Sequence, residues 1–272
     1  KAIGRKQSFQ DVEFCTTYAR EKGFASVNFD LIYGLPFQTT SSIEETLQLV
    51  YQLRPDRIAF YSYAHLPALK PSQKKLDDLH LPKGLEKYSI YEKAFQSLTD
   101  NGYKDLGYDH FALKSDSLYQ AFVQNNLHRN FMGFTVQNTS ILIGLGVSAI
   151  SDFSTFYVQN KKTLHDYLES IKNPQFSFET GYELSADDLL IKKHILNLSC
   201  YHSTSFVSVP LNEKLKETIL AKLTPLIEDN LVSYHNEEVA VTLLGVPFLR
   251  NICACFDQFF VFNSNSKHSK SL

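Results

Sequence analysis

The stretch Ala25-Ser-Val-Asn-Phe-Asp-Leu-Ile-Tyr-Gly-Leu-Pro36 decides how the chain is read. Ala25, Val27, Phe29 and Leu31 alternate with Ser26, Asn28, Asp30 and Ile32, the period of a strand with two unlike faces. Gly34-Leu-Pro36 ends it. Ser42-Ile-Glu-Glu45 then has the form of a capping box, opening a helix with the apolar stripe Ile43, Leu47, Val50 and Leu53. Pro55 breaks that helix, and 57–63 supplies a second strand. Upstream, Phe9, Val12, Thr16 and Ala19 predict a helix over 7–23, with Gly23 at its C-terminal cap. Downstream, a third helix is expected from Pro82 to Asp100, stopped by Asn101-Gly102.

Strand and helix alternating in this rhythm predict parallel β/α units, with 103–108 and 141–147 as two further strands. In parallel β/α barrels, functional side chains gather at the C-terminal ends of strands and in the loops after them. That directs attention to Asp30, Tyr33-Gly34, Tyr63-Ala64-His65 and Ser148-Ala149-Ile150. After residue 175 the texture changes: 184–260 reads as mostly helical, with strand-like pieces at 232–235 and 238–243. The expected organisation is α/β, with a β/α portion over 1–175 and a smaller, mostly helical domain over 176–272.

Composition narrows the function classes. With 43% hydrophobic and 13% aromatic positions among 272 residues, the chain has enough apolar material for a sizeable core. Its 27 basic and 29 acidic residues leave a net charge of −2, so no global basic field exists to hold nucleic acid. No apolar run approaches the ~20 residues of a membrane span. Four cysteines are too few for a disulfide scaffold, which favours a cytoplasmic location. The chain opens on Lys1 with no signal-like segment after it, and is expected to be a piece of a longer protein.

Individual residues offer chemistry without naming a reaction. Asp30 can accept hydrogen bonds from a ribose hydroxyl or an amine, although a strand-end aspartate bonding the following turn is the commoner arrangement. His65, Asp109-His110 and His128-Arg129 lie in aromatic-rich, loop-like stretches, where histidine transfers protons or ligates metal. No pair has a recognised ligand spacing. Arg5 and Arg129 can clamp carboxylates with two parallel bonds. Cys253-Ala-Cys255 is the one close thiol pair, and two buried structural thiols are expected there rather than a cluster. Gly144-Leu-Gly146 carries only two glycines of a dinucleotide fingerprint and reads as a tight turn at a strand end.

Several stretches taken together carry more than their patterns. They are Asn28 to Pro36, Arg54-Pro-Asp-Arg57, Tyr63-Ala-His-Leu-Pro67, Asp109-His-Phe-Ala112, Leu127-His-Arg-Asn-Phe-Met-Gly133, Gly144-Leu-Gly-Val-Ser-Ala-Ile150 and Arg250-Asn-Ile-Cys-Ala-Cys-Phe-Asp257. In this order and spacing the chain resembles the oxygen-independent coproporphyrinogen III oxidases, radical S-adenosylmethionine enzymes of haem biosynthesis. The resemblance runs from Arg5 to Asp257. It implies the C-terminal part of an open (β/α)6 barrel followed by a mostly helical domain. It also implies oxidative decarboxylation of two propionates of coproporphyrinogen III to vinyl groups, giving protoporphyrinogen IX. A reduced [4Fe-4S] cluster, fed by an electron donor, cleaves S-adenosylmethionine in that chemistry, and the family's full-length enzyme is expected as a monomer.

By the same resemblance Arg5 and Asp30 match residues of a second S-adenosylmethionine site, and Ala64 and Ile150 match residues around the first. The family's CxxxCxxC cluster motif has no counterpart here, and Cys253 and Cys255 are not its equivalents, so this chain alone is expected to be inactive. Arg250, on a helix expected from Pro247 with the apolar face Phe248, Leu249, Ile252 and Phe256, is a candidate for attracting substrate carboxylates. A buried salt bridge is the other role open to it. The related haem chaperone and a degenerate, non-catalytic paralogue are the alternative functions, and the Arg250–Asp257 segment favours the oxidase.

Overall fold

A computed structural model describes residues 6–76, 78–173 and 176–260. The described residues group into two compact units. The first comprises 6–124 with 247–251 and 258–260. The second comprises 125–246 with 252–257.

Unit 1 opens with α1 (Phe9–Glu21), β1 (Asn28–Tyr33), α2 (Thr40–Leu53) and β2 (Arg57–Ser62). It continues through α3 (Leu85–Asp100), β3 (Tyr103–Gly107), β4 (His110–Leu113) and α4 (Ser117–Val123). Its sheet has the order β1-β2-β4-β3. β1 and β2 are parallel, with Asp30 opposite Ala59, as the β/α reading expects. β4 runs antiparallel to both β2 and β3. The segment 103–108 is thus one arm of a hairpin and not a parallel strand. Gly107, Tyr108 and Asp109 all adopt positive φ (87°, 49° and 65°), which turns the chain back at once and leaves no room for a crossover helix.

The core lies on one face of this sheet. Tyr33, Ile58, Phe60, Tyr103 and Phe111 pack with Ile43, Leu47 and Val50 of α2 and Ile90, Tyr91, Ala94 and Leu98 of α3. At about 25 cal/mol per Å² of apolar surface, each such fully buried side chain contributes about 1.5–3 kcal/mol relative to exposure. Phe29 and Leu31 pack against this core, whereas Asn28, Asp30 and Ile32 are exposed on the other face, so the predicted alternation of β1 is observed. α2 begins a turn earlier than expected. Its N-cap is Thr39, whose side chain accepts from the Ser42 N–H while the Ser42 hydroxyl accepts from the Thr39 N–H. Ser42 is therefore the answering half of the capping box and not its start.

Unit 2 holds β5 (His128–Asn130), β6 (Gly133–Thr135), β7 (Ile150–Asp152), β8 (Phe156–Asn160), α5 (Leu164–Lys172) and β9 (Phe178–Glu183). After them come α6 (Ala186–Tyr201), β10 (Ser203–Ser205), α7 (Glu213–Glu228), β11 (Val232–His235) and β12 (Glu238–Val241). The final element, α8 (Leu249–Phe256), contributes residues to both units. β8 pairs antiparallel with both β7 and β9, so this sheet runs across residue 175.

The expected strand over 141–147 does not form; only Leu142 makes an isolated bridge, to Asp152. The Asn160 side chain takes the carbonyls of Gly144 and Gly146 (3.2 and 2.9 Å), which removes two acceptors that a strand ladder needs. A Cβ on Gly144 would lie 2.6 Å from the Ile150 carbonyl oxygen, so only glycine fits this approach.

Candidate functional site at the strand ends

The C-terminal ends of β1 and β2 collect the side chains that the sequence singles out in unit 1. The ladder continues past the strands, with the Tyr63 N–H donating to the Tyr33 carbonyl at 2.8 Å. Beyond it, Gly34 turns at φ +83°, and the Gly34 N–H donates to the Gln38 side chain at 2.6 Å. The loop after β2 is pinned by Gln73, whose amide donates to the Ala64 carbonyl (3.0 Å) and accepts from the Leu66 N–H (2.6 Å). Ala64 is thereby fixed at a strand end although it has no polar side chain of its own. His65 Nδ1 lies 3.1 Å from the Tyr63 hydroxyl.

Asp30 lies on the face of β1 away from α2 and α3. It is exposed, and its Oδ1 accepts from the Asn28 amide at 2.8 Å. Asp30 does not bond the following turn, as a purely structural strand-end aspartate would; Gln38 serves that turn instead. Arg5 lies outside the described residues.

Arg250 of α8 meets the β3–β4 turn. Its Nη2 donates to Asp109 Oδ2 at 2.9 Å, and its guanidinium carbon stands 5.2 Å from the centre of the Tyr108 ring. The pair is not buried, since the Arg250 side chain is 50% exposed and that of Asp109 22%. The turn carrying both partners is over-determined. Asp109 gives its carbonyl to the Phe60 N–H (2.7 Å), Tyr108 gives its carbonyl to His110 Nδ1 (2.6 Å), and Asp105 accepts from the Gly107 N–H (2.8 Å). These bonds hold two non-glycine residues in a left-handed conformation that costs roughly 1 kcal/mol or more at each. Burial followed by the Asp109 charge pushes the Tyr33 hydroxyl up to about 12. Asp105, partly buried at the base of the turn, is pushed up to about 6 by desolvation.

In unit 2, Ile150 pairs with Gln159 in the β7–β8 ladder, against the Gly144–Gly146 segment. A second polar group centres on Lys192 of α6. Its ammonium reaches both Asp152 oxygens (3.2 and 2.9 Å) and lies 4.8 Å from the centre of the Tyr157 ring. Burial opposes its charge, but Tyr157 and Asp152 outweigh that and raise its pKa. His128 of the Leu127–Gly133 motif is shifted down, first by burial and then by Lys192. It favours the neutral imidazole.

The cysteines do not converge on a cluster. Cys15 is exposed on α1, while Cys200, Cys253 and Cys255 are buried and unbridged. Burial pushes the Cys200 thiol up to about 12 and that of Cys255 to about 11, far from the thiolates that iron requires. Among the described residues, no group of three or more His, Cys, Asp and Glu side chains is placed to hold a metal ion. The described side chains therefore do not fit an iron–sulfur cluster. Among them, too, no helix is long and apolar enough to cross a membrane.

No protein-family model matches the chain. It is 38% identical over 265 residues to the oxygen-independent coproporphyrinogen III oxidase of Salmonella typhimurium, covering 95% of this chain and 58% of that protein. The Helicobacter pylori protein of the same name is 36% identical over 279 residues, covering all of this chain and 60% of the relative. The one from Thermostichus vulcanus is 37% identical over 264 residues and is 80% covered. The chain belongs to the oxygen-independent coproporphyrinogen III oxidase family. It spans somewhat under 60% of the length of its Salmonella relative. A solved structure, coproporphyrinogen III oxidase HemN from Escherichia coli, described as a radical SAM enzyme, superposes with a TM-score of 0.89 at 37% identity, over 94% of this chain and 60% of that one. The fold is accordingly that of part of a radical-SAM α/β enzyme, with helices and sheets in both units.

Lys87 and Tyr108 complete the strand-end site around Tyr33, and the sequence reading passed over both. A signal existed for Lys87, since a lysine in the first turn of a helix opposes the helix dipole. The Tyr108 contact joins residues 142 positions apart, which no local pattern encodes.

Proposed function

We propose that the chain supplies the later barrel segments and the C-terminal domain of an enzyme converting coproporphyrinogen III to protoporphyrinogen IX without oxygen, in haem biosynthesis. The observation that carries this is the match at 36–38% identity over 94–100% of the chain, to relatives all named for that reaction. The HemN superposition supports the same reading.

Each propionate becomes a vinyl group by giving up a hydrogen atom, carbon dioxide and one electron, the electron passing to an acceptor outside this chain. S-adenosylmethionine, when bound, supplies the hydrogen abstraction. Toward it, we assign Ala64 as a small contact of one S-adenosylmethionine molecule and Asp30 as acceptor for an ammonium or ribose hydroxyl of a second. The exposed Asp30 carboxylate, engaged by Asn28 alone, suits that part. No step is assigned to the iron–sulfur cluster through these residues. Arg250, fixed by Asp109 and Tyr108 yet half exposed, suits attraction of a substrate carrying four carboxylates. An electron donor for the cluster and a cytoplasmic location belong to the same reading.

The test joins the N-terminal region of the Escherichia coli relative to this chain. The hybrid is assayed anaerobically with S-adenosylmethionine, a reductant and coproporphyrinogen III, following protoporphyrin fluorescence after oxidation. Conversion is expected. Cleavage of S-adenosylmethionine without porphyrinogen turnover would instead point to a haem chaperone, and inactivity with an intact cluster to a degenerate paralogue.

A further inference from the structure

Lys87 is placed where the fold gives it little in return. It sits in the first turn of α3, at the positive end of that helix, behind the N-cap Gly84, which has no side chain to offer. Burial lowers its pKa, and no carboxylate among the described residues lies within ion-pair distance of it. Among the described residues its hydrogen-bond partner is the Tyr63 carbonyl, at 3.1 Å. The stem runs over Gly34, where a Cβ would come within 2.7 Å of Lys87 Cε, and the ammonium ends 5.8 Å from the centre of the Tyr33 ring. The sequence thus carries a glycine where the lysine stem must pass and a carbonyl where its head must rest. The cation is delivered to the C-terminal ends of β1 and β2.

Arg250 is held by Asp109 of the β3–β4 turn, whose carbonyl accepts from the Phe60 N–H, and the Phe60 ring stacks on that of Tyr33 with centres 4.7 Å apart. A guanidinium has five donors, and the carboxylate of Asp109 engages only one edge of it. One cation thus stands at the Tyr33 ring and the other at the turn tied to its stacking partner Phe60, where Asp109 offsets it. The buried Tyr91 ring lies 5.5 Å from that of Tyr33, with Tyr88 and the partly buried Asp105 acting on it in turn, and burial favours the neutral forms of Tyr91 and Asp105.

We propose that Lys87 and Arg250 form a two-point receptor for the carboxylates of a bound ligand at the ends of β1 and β2. Resting on the oxidase reading above, that ligand is the tetrapyrrole, held by its propionates. The methionine end of S-adenosylmethionine is also a carboxylate, so the test must separate the two sources.

Binding is measured on the whole chain with two probes. Coproporphyrin III, the stable oxidised form with the same four carboxylates, is followed by fluorescence, and S-adenosylmethionine by calorimetry. Lys87→Gln and Arg250→Gln should each weaken coproporphyrin III binding about tenfold, as the loss of one charge-assisted contact implies. Lys87→Arg should hold binding within about threefold, and none of the three should alter S-adenosylmethionine binding. The thermal midpoint of Lys87→Gln should stay level or rise, because an uncompensated charge has been removed. Unchanged porphyrin binding in both glutamine variants, or a lowered midpoint that Lys87→Arg does not restore, overturns the receptor. Weakened S-adenosylmethionine binding with porphyrin binding intact overturns the tetrapyrrole assignment. Conversion by the hybrid together with unaffected variants removes the receptor and leaves the oxidase reading standing. Weakened porphyrin binding without conversion does the reverse.

Discussion

Asp105 and Asp30 are carboxylates ten or fewer residues from a strand end, and their surroundings give them opposite behaviour. Asp105 is partly buried, and loss of water around it pushes its carboxyl up to about 6 from the 3.8 of an ordinary aspartate. The fold favours its protonated form. That stabilisation is fully present below about pH 4 and is lost as the pH rises through 6. Urea unfolding should therefore show about 1–3 kcal/mol of stability lost between pH 4 and pH 7.5 on account of this group. Asp105→Asn, which keeps an acceptor for the Gly107 N–H, should flatten that slope and be the more stable protein at pH 7.5. A slope identical to the parent's would clear Asp105 of the role. Asp30, exposed and bonded only by Asn28, supports no part of the core. In the hybrid enzyme Asp30→Ala should weaken S-adenosylmethionine about ten- to hundredfold, the range for a charge-assisted bond, with the unfolding midpoint unchanged. A lowered midpoint with unaltered affinity would return the residue to structure.

At the scale of elements, what the sequence disclosed depends on how local the controlling forces are. α1 was legible because Phe9, Val12, Thr16 and Ala19 are indeed among its least exposed positions, and β1 because its faces alternate in polarity. β11 and β12 were equally plain, as short apolar alternations around a turn. The β3–β4 hairpin was hidden because its direction is set by three successive positive-φ residues, two of which carry side chains that do not advertise it. The 141–147 segment failed as a strand for a non-local reason, the claim of Asn160 on two of its carbonyls. Of the candidate site, the strand-end loops and Arg250 could be located from the sequence; the partners of Arg250 could not. The close approach of Gly144 to the Ile150 backbone yields a prediction of its own. Gly144→Ala should destabilise the chain by about 1–3 kcal/mol in urea unfolding, the usual cost of overpacking, because the obstructing atoms are main chain and cannot swing aside. Parental stability in that variant would mean that the segment is held less tightly than Asn160 implies.

At the scale of the molecule, the described side chains supply cationic and carboxylate groups for ligands at the strand ends and no ligand set for iron. The proposed reading puts substrate and S-adenosylmethionine contacts in this chain and leaves the cluster to the part of the relatives that the chain does not span. On that proposal, decarboxylation rather than S-adenosylmethionine cleavage alone is what these residues are expected to contribute. The most direct measurement uses the hybrid enzyme and coproporphyrinogen III labelled at the propionate carboxyls of the two rings that become vinyl-bearing, with anaerobic release of labelled carbon dioxide counted against product. Two labelled carbon dioxide molecules per protoporphyrinogen formed is the predicted result. Formation of 5′-deoxyadenosine with all of the label retained in the tetrapyrrole would contradict the account.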